Sequence, residues 1–170
     1  MIKRLYLLRH AKSSWKDPAL PDHDRPLAGR GRRAAGAIAR HVRAQGIEPE
    51  LVLCSTARRA RETLERIEPA LATPAIRVEP ELYGASAGAL LERLRGVADD
   101  VDSVMVIGHN PGLQRLALDV ARPAPAVREL EAKYPTAALA TLAFAGPTWQ
   151  ALDRGTAELA DLVRPRDLER

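Results

Sequence analysis

The sequence predicts an α/β fold: a single domain over residues 1–170, layered as an α/β sandwich with a mostly parallel central sheet. Three observations carry this reading. Short apolar runs of strand length alternate with longer amphipathic segments, the pattern that sets helices against the faces of a parallel sheet. The proline-rich pieces at 17–26 and 121–125 have the length of loops inside a domain, not of linkers. The 170 residues suffice for one well-buried core and fall short of two.

Residues 2–8 read as a buried strand, followed by a loop to about residue 27. A helix is expected over 28–45, with Gly46 as its stop. Residues 51–54 form a second short apolar strand, a helix follows over 56–71, and 76–78 can supply a third strand. Ser86 can cap a helix running to about residue 98, with Leu90, Leu91, Leu94 and Val97 as its apolar stripe. Residues 104–107 are a strand, and a helix begins near Pro111, a residue suited to a first helical turn. Residues 137–144 and 148–152 suggest a hairpin turned at Ala145-Gly146-Pro147, an antiparallel addition to the sheet. Residues 158–163 read as a last strand or a short helix.

Composition narrows the function. Apolar residues are 46% and charged residues 28% of the chain, the balance of a soluble globular protein. No apolar run approaches the roughly 20 residues that cross a bilayer. The opening segment lacks the pattern of a signal peptide, its apolar run ending at Arg9. The one cysteine, Cys54, fits a reducing compartment, so the cytoplasm is expected. The net charge of +4 is concentrated in arginines at 30–43 and 58–66, read as the solvated basic faces of two helices. Nucleic acid is not expected as a partner: aromatics are 4% of the chain and none interleaves with these arginines.

In an open α/β sheet, ligands bind beyond the carboxyl ends of the strands. The first strand here runs into Arg9-His10-Ala11-Lys12-Ser13, the second into Ser55-Thr56-Ala57-Arg58-Arg59, and the 104–107 strand into Gly108-His109-Asn110. Two histidines, several arginines and two helix N-termini therefore converge, a set that suits a phosphate-sized anion. No cluster of carboxylates accompanies them, so no metal or other cofactor is expected. Cys54 to Arg59 is Cys-x4-Arg, one residue short of the cysteine-phosphatase loop, and neither Gly29-x-Gly31 nor any other glycine pattern makes a nucleotide loop. His23 and His41 read as structural histidines.

The segment Leu7-Leu8-Arg9-His10-Ala11 resembles the Arg-His-Gly signature of the histidine phosphatase superfamily, with alanine for glycine. Ser55-x3-Arg59-Ala60-x2-Thr63 and Val106-Ile107-Gly108-His109-Asn110 resemble its second and late motifs. The Arg-His-Ala-Lys-Ser run, Asp24-Arg25-Pro26-Leu27 and the closing Arg164-Pro165-Arg166-Asp167-Leu168 look like the small phosphohistidine-phosphatase branch. The resemblance implies a phosphoglycerate mutase-like fold. It also implies a metal-independent hydrolysis through a phosphohistidine on His10, with Arg9, Arg59 and His109 on the phosphoryl oxygens. A positioned neutral imidazole is a competent nucleophile near neutral pH, and planar, permanently charged guanidiniums match a phosphoryl group.

The resemblance puts the general acid at Glu81, before Tyr83-Gly84, with an exposed loop carboxylate as the other reading of that residue. Lys12, Ser13 and Arg25 are candidate substrate contacts or loop residues with local partners. The expected partner is a phosphorylated protein, with a small phosphorylated metabolite or a non-catalytic phosphate- or phosphoprotein-binding role as alternatives. Oligomeric state is left open.

Overall fold

The computed structural model describes residues 1–168, so the expected domain 1–170 extends two residues beyond the described ones. Its strands are β1 (Ile2–Arg9), β2 (Leu51–Ser55), β3 (Ala75–Glu79), β4 (Ser103–Gly108), β5 (Leu139–Ala145) and β6 (Glu158–Val163). The helices are α1 (Gly29–Ala44), α2 (Arg58–Ile67), α3 (Ala87–Arg95), α4 (Gly112–Val120) and α5 (Val127–Ala132). The strands form one sheet in the order β3-β2-β4-β1-β5-β6. The β1–β4, β2–β4 and β2–β3 pairs are parallel, and β5 runs antiparallel to both β1 and β6.

Alternation along the strands builds two cores. Leu5, Leu7, Leu53, Val104 and Val106 face one side, where Leu90 and Leu94 of α3, Leu113 and Leu116 of α4 and Leu130 of α5 meet them. Leu8, Val52, Cys54, Met105 and Ile107 face the other, against Ala35, Ile38 and Val42 of α1 and Ala60, Leu64 and Ile67 of α2. All five β2 residues are buried, as expected of a parallel strand covered on both faces. In α1, Gly31, Ala35, Ile38 and Val42 recur at helical spacing. The helix ends at a turn where Gly46 has φ +62°, a conformation that glycine adopts without penalty.

The expected elements are present with three corrections. Residues 148–152 are not a strand. They hold the 3-10 turn Trp149–Ala151, and β5 pairs with β6 instead. The physical reason is Trp149: its ring is fully buried against Phe144 at 5.3 Å and its Nε1 donates to the Val101 carbonyl at 2.7 Å. An extended strand would lift that ring from the core. The 56–71 helix is shorter than expected, ending at Ile67 before a 3-10 turn that contains Pro69. The six-residue α5 was not foreseen, being too short to show a period.

Candidate active site

Adjacency in the sheet gathers the site. β2, β4 and β1 are neighbours and parallel, so Ser55, His109 and His10 emerge side by side at their carboxyl ends. His10 and His109 have ring centroids 5.1 Å apart, and Arg59 reaches them from the first turn of α2. All three are buried, and Arg9 stands at the end of β1.

His10 is oriented by its neighbour. Its Nδ1 lies 2.8 Å from the Ala11 carbonyl, which can only accept, so the ring proton sits on Nδ1 and Nε2 carries the lone pair that accepts from Arg59. Arg59 Nε approaches that Nε2 at 3.4 Å. Burial, with help from the His109 ring and the Arg59 and Arg9 charges and against the Ala11 bond, lowers the His10 pKa to about 3. The imidazole is therefore neutral at any physiological pH. Ala11, in place of the usual glycine, is fully buried, and its φ is not positive. The extra methyl is simply part of the core.

His109 is set by Ser55. The Ser55 hydroxyl accepts from the Ala57 amide at 3.2 Å and lies 2.7 Å from His109 Nε2. With the hydroxyl donating to Nε2, the imidazole proton sits on Nδ1. That Nδ1 is buried with no partner among the described residues, and so is Arg9 Nε. Two buried donors without acceptors at one site mark a place for an anion. Burial, then the Arg59 charge, lowers the His109 pKa to about 4, with Asp22 opposing. Arg9 is held by its Nη1, which donates to the Tyr134 carbonyl at 3.0 Å, and Asn110 Nδ2 donates to the same carbonyl at 3.1 Å.

Sequence reasoning passed over Asp22. It lies in a 3-10 turn, Asp22–Asp24, and its carbonyl and Oδ2 accept from Arg59 Nη1 and Nη2 at 2.8 and 2.9 Å. Tyr83 Oη donates to the same Oδ2 at 2.5 Å. The Tyr83 hydroxyl above all, then Arg59 and Arg25, hold the Asp22 carboxyl well below the usual range. Tyr83 was passed over too; its ring packs edge-on to His109 at 5.4 Å and to His23 at 4.8 Å. No sequence pattern links residues 22, 59 and 83. The placement of His23 beside Thr56 Oγ1, at 2.8 Å, brings that histidine to the rim of the site.

The remaining candidates fall outside the cluster. Glu81 is exposed in the 3-10 turn Pro80–Leu82 and makes no side-chain hydrogen bond or ion pair among the described residues. Arg25 spends its donors on Ser14 O, Asp22 Oδ1 and Ser13 Oγ and stacks 3.3 Å from the exposed Trp15 ring. Ser13 and Arg25 thus brace the loop between β1 and α1. Lys12 is exposed on that loop. Arg58 is exposed and pairs with Glu62 at 3.1 Å. Among the described residues no group of three or more histidines, cysteines or carboxylates could hold a metal ion. No described helix is long and apolar enough to cross a membrane.

The model of the histidine phosphatase superfamily (branch 1) matches residues 5–151. Over 163 residues the chain is 39% identical to the uncharacterised protein Rv1276c of Mycobacterium tuberculosis (strain H37Rv), covering 94% of this chain and 100% of that one. The candidate phosphohistidine phosphatase SixA from Nakamurella multipartitia superposes with a TM-score of 0.85 at 31% identity, covering 97% of both chains. The protein histidine phosphatase SixA complexed with tungstate superposes with a TM-score of 0.80 at 26% identity, covering 98% of this chain and 99% of that one. The sheet described above is accordingly the phosphoglycerate mutase-like fold.

Proposed function

Because the chain belongs to the histidine phosphatase superfamily, in its small SixA-like branch, and is a phosphatase, we propose that residues 1–170 act as one domain that hydrolyses phosphohistidine on a protein, without a metal, through a phosphorylated His10. One observation carries the nucleophile: the His10 ring is held with Nδ1 on the Ala11 carbonyl and Nε2 facing the Arg59 guanidinium. Nε2 attacks phosphorus in line with the leaving group. Arg9, Arg59 and the His109 Nδ1–H meet the phosphoryl oxygens, where fixed donors contribute most of the catalysis. Water then cleaves the Nε2–P bond and restores the imidazole. Arg59 exchanges the Asp22 carboxylate for the phosphoryl group when substrate enters.

The substrate class follows from the proton inventory. An alkoxide leaving group needs an acid, and the carboxyl nearest the cluster, Asp22, is kept ionised by Tyr83, Arg59 and Arg25. Glu81, the acid that the resemblance suggested, is two residues from Tyr83 and exposed. A phosphorylated imidazole carries its own proton and departs neutral, so it needs neither group. We therefore assign Glu81 no proton transfer. The SixA neighbours, named for phosphohistidine or protein histidine phosphatases, support the same substrate class.

The test is phosphate release from a phosphohistidine-carrying protein in excess EDTA, wild type against His10→Ala. Release by the wild type alone, with acid-labile label on His10 in a rapid quench, is the expected result. Equal release by the variant would remove His10 as nucleophile. Activity on alkyl phosphates but not on phosphohistidine would overturn the substrate class.

A further inference from the structure

A second feature lies on the α1 side of the sheet. A groove of about 540 Å³ runs between the outer face of α1, the 133–136 loop and the 3-10 turn Pro165–Leu168. Six exposed cations line it: Lys12, Arg30, Arg33, Arg40, Lys133 and Arg166. Among the described residues no acidic side chain lines it and none of the six has an ion-pair partner. Between the charges the floor is small and apolar, formed by Ala34 and Ala37 of α1 with Pro135 and Leu168.

The groove shares a wall with the active site. Lys12 follows His10 by two residues. Lys133 precedes Tyr134, whose carbonyl holds Arg9 at 3.0 Å. Thr136 precedes Ala137, whose amide bonds the Arg9 and His10 carbonyls at 3.0 Å each. A large molecule whose phosphoryl group entered the site could lie across this shared wall.

Resting on the phosphohistidine reading above, we propose that this groove docks the acidic face of the phosphorylated protein substrate. The chemistry favours a protein over a small anion. A small-ligand site encloses its ligand with buried, fixed donors, whereas these cations are solvated, on long flexible stems. Such charges steer and align an extended partner, and an apolar floor with a charged rim is the anatomy of a protein interface. A nucleic acid fits less well, because no aromatic side chain lines the groove to stack bases.

The experiment compares two donors, an acidic protein phosphorylated on a surface histidine and phosphoramidate, with the wild type and with Arg33→Glu/Arg40→Glu. Both arginines are exposed on α1 and outside the catalytic cluster, and Arg33→Gln/Arg40→Gln serves as the milder variant. The charge-reversed enzyme should lose about tenfold or more in kcat/KM on the protein, mainly through KM. It should keep its phosphoramidate rate within about twofold, and the salt dependence seen with the protein should flatten. Poly-glutamate should compete with the protein and not with phosphoramidate.

Equal losses on both donors, or no loss on the protein, would overturn the docking surface. So would competition by a DNA duplex in place of poly-glutamate. A wild type that hydrolyses phosphoramidate yet gains nothing from the protein carrier would overturn docking and leave the catalytic reading standing. A wild type inactive on both donors would overturn the catalytic reading, and docking with it.

Discussion

Lowering the pH from 7 to 5 should destabilise this protein through two residues, His10 and His109. Burial brings their pKa values to about 3 and about 4, against roughly 6.5 in an unfolded chain. Between those limits the unfolded state binds protons that the folded state refuses, so stability falls as pH falls. At pH 5 each histidine then costs about 2 kcal/mol relative to pH 7, and the pair about 4 kcal/mol. Asp22 is silent in this window. Its depressed pKa contributes stability that is fully present above about pH 5 and is lost only as the pH falls through the carboxylate range. With an m value of about 2 kcal/mol/M, the urea midpoint should drop by about 2 M. The assay is equilibrium urea unfolding in phosphate-free buffer, since a bound anion would favour imidazolium. His10→Gln/His109→Gln should show little of this shift. A wild-type change below about 0.5 M, or an equal change in the double variant, would refute the claim that burial keeps both rings neutral.

Three further outcomes are expected. Ser55→Ala removes the hydroxyl bonded to His109 Nε2 and to the Ala57 amide, so kcat should fall about tenfold and urea unfolding should show a loss of about 1–3 kcal/mol, and Ser55→Thr should recover most of both. Tyr134→Phe removes the hydroxyl that donates to the Leu7 carbonyl and accepts from the Ala140 amide; the loss should be about 1–3 kcal/mol in urea unfolding, with activity retained because Arg9 is held by the Tyr134 carbonyl instead. Glycines of α1 should separate cleanly by thermal melting. A methyl at Gly31 collides with the Lys12 backbone, whereas one at Gly36 meets only the far end of Arg40 at 3.7 Å. Gly31→Ala should therefore cost about 1–3 kcal/mol and Gly36→Ala should gain about 0.5–1 kcal/mol.

Arg9, His10 and His109 drew attention in the sequence because each falls within two residues of an apolar run short enough to be a strand, and Arg59 because it lies at the start of the helix that follows the second such run. Local pattern thus carried them to one edge of the sheet. Asp22 and Tyr83 were not legible, since nothing local joins residue 22 to residues 59 and 83. Only the loop braced by Arg25 and the turn at Pro80–Leu82 bring them together. Glu81 drew attention as a charge near a Tyr-Gly pair, yet that turn presents Tyr83 to the cluster instead. The expected hairpin at 148–152 failed for a related reason. Alternating apolar residues there looked like a strand, but the bulk of Trp149 required a core position that a turn reaches and a strand does not.

The place of β1 in the sheet bears on how the molecule is made. Leu7 lies between Val106 and Ala140, so both flanks of this first strand are supplied by segments that leave the ribosome much later. At about 5–20 residues per second, the apolar β1 waits many seconds for its first neighbour, and its unpaired edges are open to aggregation meanwhile. Tyr134 and Ala137, which fix Arg9 and the His10 backbone, arrive later still. A nascent chain of this protein therefore carries His10 long before residues 134–137 exist to fix the backbone around it.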